Sequence, residues 1–121
     1  MDTKIYDLSD RLINFGVLVI TVSESYNRKR EAGRHLAKQL VRSGTSPGIH
    51  YGEAQAAESR RDFIHKMKII LKELRETGCN IKMAERANIS SSEVLSDATI
   101  ECNELIAIFV KSIKTAKSNM T

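Results

Sequence analysis

Residues 39–76, QLVRSGTSPGIHYGEAQAAESRRDFIHKMKIILKELRE, decide how the chain is read. In the second half of this stretch, the Ser59 hydroxyl stands three residues before Asp62, a capping-box arrangement with the shorter acid. Phe63, Met67, Ile70 and Leu74 follow at steps of three and four, and Ile81 continues the same buried stripe, so a helix opens at Ser59. The first half is helix-forming on both sides of Thr45-Ser46-Pro47-Gly48. Pro47 has no N–H to offer the carbonyl of Ser43, so a helix spanning about Arg28 to Ala57 either kinks there or restarts with Ser46 as N-cap. A bend within one helix is the expectation.

The same periodicity holds on either side. Towards the N-terminus, Ile5, Leu8, Leu12, Phe15, Val19, Val22 and Tyr26 form a seam suited to packing at small crossing angles. Ile13, Val17, Leu18 and Ile20 add apolar surface outside that seam, so this helix is expected to be covered on more than one side, most simply by another subunit. Val17 to Val22 also permits a strand-like reading. Towards the C-terminus, Ser90 with Glu93 opens a fourth helix, whose core face is Val94, Leu95, Ala98, Cys102, Leu105, Ile106, Phe109, Val110 and Ile113.

A chain of 121 residues, 41% hydrophobic and 28% charged, has the composition of one globular domain, residues 1–121. One proline and six glycines leave little material for the turns of an all-β fold, so the class is all-α, a bundle of four helices. Asp2, Asp7 and Asp10 stand where a signal peptide would carry positive charge, and a cytoplasmic protein is expected. The apolar run Phe15 to Val22 is far short of the ~20 residues that span a bilayer. Cys79 and Cys102 lack metal-binding spacing and are read as reduced thiols.

Few residues invite a reading as chemistry. Gly44-Thr45-Ser46-Pro47-Gly48 matches the G-x-S-x-G nucleophile elbow, but that motif needs a preceding strand and an oxyanion-hole N–H from the next residue, here Pro47. A helix bend explains the same residues, and no enzyme is expected. His50 and Glu53 lie one helical turn apart, yet no second copy of the pair completes a two-metal site, so no metal or other cofactor is expected. His35 and His65 read as surface residues. No phosphate-cradling glycine loop occurs.

Charge is the stronger signal. The net charge is +4, unevenly spread: residues 28–58 carry six basic and three acidic groups and 59–89 eight and four, against two and four in 1–27 and three and four in 90–121. At about 100° per residue, Arg61, Lys68, Lys72, Arg75, Lys82 and Arg86 fall within roughly an 80° arc of the third helix, opposite its apolar stripe. Arg30, Arg34, Lys38 and Arg42 recur every fourth residue on the second. Such a surface suits a phosphate backbone; a plain solvated face is the alternative. Phe15, Phe63 and Phe109 belong to core stripes, leaving Tyr6 and Tyr51 as the main stacking platforms, so contact by backbone and shape is expected.

Gln39, Arg42, Ser43, Ser46, Glu53, Ala54, Phe63, Lys66, Glu73, Arg75 and Glu76, in this order, resemble the pattern of the bacterial four-helix bundle proteins first described as encoded by intervening sequences in 23S ribosomal RNA genes. Pro47 departs from it where many members have an aliphatic residue, and His50 where asparagine is usual. The resemblance implies an antiparallel up-and-down bundle assembled as a ring-like homopentamer. It also implies kinship with accessory proteins of diversity-generating retroelements, which bind a reverse transcriptase and nucleic acid. It supplies no catalytic residues. The expected function is therefore nucleic-acid binding, of structured RNA foremost, through helices two and three, with a scaffold for a partner protein as the alternative.

Overall fold

The computed structural model describes residues 7–120, which form α1 (Leu8–Ser23), α2 (Glu31–Gln55), α3 (Arg60–Arg86) and α4 (Ser92–Ser118). Among the described residues there is no strand, and Val17 to Val22 is helical. Ile5 and Tyr6 lie outside the described residues. Each helix packs on the next in sequence and α4 also touches α1, a packing that fits a four-helix bundle. None of these helices is long and apolar enough to cross a membrane.

The ends of the helices follow side-chain chemistry. Asp7 Oδ1 accepts the Asp10 N–H at 3.0 Å and Ser59 Oγ accepts that of Asp62 at 3.0 Å, each satisfying a first-turn donor that has no partner within the helix. Asp62 Oδ2 reaches back to the N–H of Glu58 at 3.4 Å, one residue before the Ser59 N–H that a capping box would use. The cap of α4 lies one residue later than the Ser90–Glu93 spacing predicts: Ser91 Oγ accepts from Val94, while Ser90 bonds the Ser25 hydroxyl across the bundle end. A Schellman closure ends α3, with Asn88 in the left-handed region at φ 57° and the Ile89 and Asn88 N–H groups returning to the carbonyls of Ala84 and Glu85.

Pro47 lies inside a continuous α2, so Ser46 is not an N-cap. The hydroxyls of Thr45 and Ser46 donate at 2.6 Å to the carbonyls of Val41 and Arg42, bonding back onto the turn before the proline. Small residues at Gly44 and Gly48 let α1 approach closely: a Cβ on Gly44 would lie 2.5 Å from Val19 Cγ1. The core is built from Leu12, Phe15 and Val19 of α1, Leu40 of α2, Met67, Ile70, Leu74 and Ile81 of α3, and Leu105 and Phe109 of α4.

Three stripe positions differ from expectation. Phe63 is half-buried and its neighbour Ile64 occupies the core instead. Val94 and Val110 are 47% and 42% exposed, because the face of α4 that enters the core centres on Leu95, Cys102 and Phe109 and they flank it. On α1, Ile13, Val17 and Ile20 remain 50%, 57% and 44% exposed, so none of the described residues of the chain covers them.

Candidate nucleic-acid interface

A groove of about 640 Å³ runs between α2 and α3. Its basic groups are Arg42 from α2 and Lys68, Lys72 and Arg75 from α3. Leu36, Leu71 and Met83 supply apolar surface, and Gln39, Glu76 and Asn80 supply polar groups. The arc on α3 puts its three cations here because they are opposite the buried face that holds Met67, Ile70 and Leu74. Arg42 is held over the groove by Gln39 Oε1, 3.2 and 3.3 Å from its guanidinium, and by Glu76 at 3.5 Å. Asn80 is locked, taking the Tyr26 hydroxyl at 2.7 Å and donating to the Leu36 carbonyl at 2.9 Å.

The other candidate cations do not join this groove. A row spaced every four residues drifts by about 40° per step, so of Arg30, Arg34, Lys38 and Arg42 only the last lines the groove. Arg30 donates at 2.7 Å to the carbonyl of Ala87, the C-cap of α3, and Arg34 donates at 2.7 Å to that of Arg28 in the α1–α2 connection. Lys38 is exposed on α2, and Arg61 and Arg86 are exposed near opposite ends of α3. Lys82, with Arg75, lines a smaller cavity of about 230 Å³ on the α4 side.

Sequence reasoning missed Lys114 and Lys117, which line a third groove of about 330 Å³ together with Lys68, Leu71 and Arg75. The proximity of Lys117 holds the Lys68 ammonium below the usual lysine range, as two like charges at one place do. Such a pair favours an anion between them. The signal was present: the acidic residues of 90–121 all precede residue 105 and its lysines all follow 110, so a segment total averages them away. Glu101 and Glu104 face the other way, where Arg11 grips both, at 2.7 and 2.6 Å.

Behind the groove lies a polar seam. His50 Nδ1 faces Glu73 Oε2 at 3.4 Å rather than pairing with Glu53, which is exposed. Burial pushes the Glu73 carboxyl above its ordinary range, with His50 opposing the shift, and Glu73 Oε1 is buried without a hydrogen-bond partner. Thr77 donates to Ser43 Oγ at 2.8 Å beside it. Ser46 thus has a histidine and a carboxylate nearby, which the sequence did not show. Its hydroxyl nonetheless donates to the Arg42 carbonyl, it sits mid-helix with no strand before it, and the next residue, Pro47, has no N–H. No group of three or more metal-ligating side chains occurs among the described residues.

Tyr51 is not a free stacking platform: its ring packs edge-on against Phe109, with centroids 6.0 Å apart. Cys79 is an exposed free thiol. Cys102 is buried and donates to the Leu74 carbonyl, and burial pushes its thiol up to about 11.

Four helices around one core, with a cationic groove between the second and third, define a small all-α bundle protein. Residues 4–111 match the 23S rRNA-intervening sequence protein family, and the chain belongs to it. It is also similar to a protein of unknown function from the S23 ribosomal protein family of Bacteroides thetaiotaomicron VPI-5482, whose crystal structure was determined at 1.70 Å. The two share 30% identity over 88% of this chain and 97% of that one, with a TM-score of 0.79. No curated protein matches the chain.

Proposed function

We propose that this chain is a non-enzymatic, cytoplasmic, homo-oligomeric four-helix bundle that binds structured RNA, or another nucleic acid, through the basic surface of α2 and α3. The observation that carries the reading is the convergence of Arg42, Lys68, Lys72 and Arg75 on one groove whose lining holds a single carboxylate, Glu76. The family description, which names 23S rRNA, favours RNA as the nucleic acid. Lys82, Arg86 and Arg61 extend the contact along α3, and Arg30, Arg34 and Lys38 extend it over α2.

In this reading the helices run antiparallel, up and down, and α2 bends at Pro47. Supporting it, Leu12 faces Gly48 while Val19 faces Gly44, and Ser43 faces Thr77 while Leu36 faces Asn80. The exposed apolar face of Ile13, Val17 and Ile20 supports assembly with further copies, a ring-like pentamer by the family resemblance. That same face favours the second reading, a scaffold that docks a partner protein, such as a reverse transcriptase, and never touches nucleic acid.

The test is a titration of nuclease-treated protein with labelled structured RNA. Four cations meeting phosphates make affinity fall about a hundredfold between about 50 and 200 mM salt. Absence of binding at low salt contradicts the proposal.

A further inference from the structure

We infer that the α2–α3 groove seats a short unpaired stretch of nucleotides, its bases against Leu36, Leu71 and Met83, about 18 Å apart along α3 at the extremes, and its phosphates on Arg42, Lys68, Lys72 and Arg75. This rests on the RNA-binding reading and sharpens its ligand from a backbone to splayed-out bases. A surface meant only for phosphates would be cationic throughout. Here the cations end at Arg75, and the floor of the groove continues along α3 past Asn80, beside Leu36, to Met83, which is 57% exposed. A paired A-form helix turns phosphates, hydroxyls and the edges of stacked bases outward, so it has no apolar surface to lay on that floor; a base outside the stack does.

Size and polar decoration agree. A volume of about 640 Å³ lies in the range of small-ligand sites, apolar with a few placed polar groups. Gln39 Oε1 is taken by Arg42, and its Nε2 has no acceptor among the described residues, so a donor is available at the groove. Glu76 contacts Arg42 only at 3.5 Å through Oε2, which leaves carboxylate lone pairs for a base amino group. A carboxylate in that position repels an acidic peptide, the other ligand a cationic groove would attract, but is an ordinary acceptor for a base edge. The guanidinium of Arg42, braced by Gln39, offers a planar cation on which a base can stack.

The test compares a short labelled RNA single-stranded and annealed to its complement, by fluorescence anisotropy, on the wild type and on a Leu71→Ala, Met83→Ser double variant. Met83 is exposed and Leu71 half-buried, and circular dichroism checks that the variant remains helical. The wild type is expected to bind the single strand about tenfold more tightly than the duplex, and the variant to lose that tenfold while its duplex affinity and salt dependence stay unchanged. Equal binding of single strand and duplex, or a single-strand affinity untouched in the variant, overturns this inference and leaves the RNA-binding reading standing. No binding of either RNA at low salt overturns both.

Discussion

Changing Lys68, Lys72 and Arg75 together to glutamate is expected to lower affinity for structured RNA at least ~100-fold at low salt and to flatten the salt dependence by about three phosphate contacts. The three side chains are exposed on one face of α3 and line the same groove, of whose cations only Arg42 would remain. Reversal does more than delete contacts, since each new carboxylate repels a phosphate. The fold should survive. None of the three is buried, and Lys68→Glu would replace the unfavourable approach to Lys117 by an attraction. Anisotropy titrations at several salt concentrations read both quantities, with thermal melts confirming that the variant is folded. An affinity within a few-fold of wild type would place the RNA elsewhere.

Replacing Gly33 by alanine is expected to destabilise the fold by about 3 kcal/mol, and to lower Tm by about 10 °C. A Cβ on Gly33 would sit 1.8 Å from the carbonyl oxygen of Asn27, and that oxygen belongs to backbone rather than to a side chain that can swing away. Moving it means moving Asn27, whose N–H is bonded at 2.9 Å to the carbonyl of Ile89 and so joins the α1–α2 connection to the α3–α4 connection. In an open helical site the same substitution gains roughly 0.5–1 kcal/mol from reduced chain entropy, so the clash wins. Gly52 is such a site, with nothing within 4 Å of its would-be Cβ, and Gly52→Ala serves as the control expected to raise Tm. Differential scanning calorimetry on both variants separates the two effects.

Much of the fold was legible because helical periodicity reports burial directly: Leu12, Phe15, Val19, Met67, Ile70, Leu74, Leu105 and Phe109 were named from spacing and are buried. The cap at Ser59 was legible because its partner is local. Where two serines compete, as at Ser90 and Ser91, spacing alone could not choose, and the bond from Ser25 claims Ser90. Pro47 was ambiguous because its cost depends on what else bonds the preceding turn, and the hydroxyls of Thr45 and Ser46 do so. The site was only half legible. An angular plot of α3 finds Lys68, Lys72 and Arg75, but whether Arg42 or Lys38 meets them depends on which face of α2 turns to α3. Lys117 beside Lys68, and Glu73 beside His50, are contacts across neighbouring helices between residues many turns apart along the chain, which no local pattern encodes.

The central claim, that nucleic acid lies along the α2–α3 groove, is tested most directly by lysine footprinting. Amine-reactive labelling read by mass spectrometry, with and without structured RNA, should show Lys68 and Lys72 strongly protected and Lys114 and Lys117 partly so. Lys29 and Lys111, which line neither of the two grooves that Lys68 lines, should keep their reactivity. Protection at those outlying lysines with Lys68 and Lys72 still fully reactive would contradict the account.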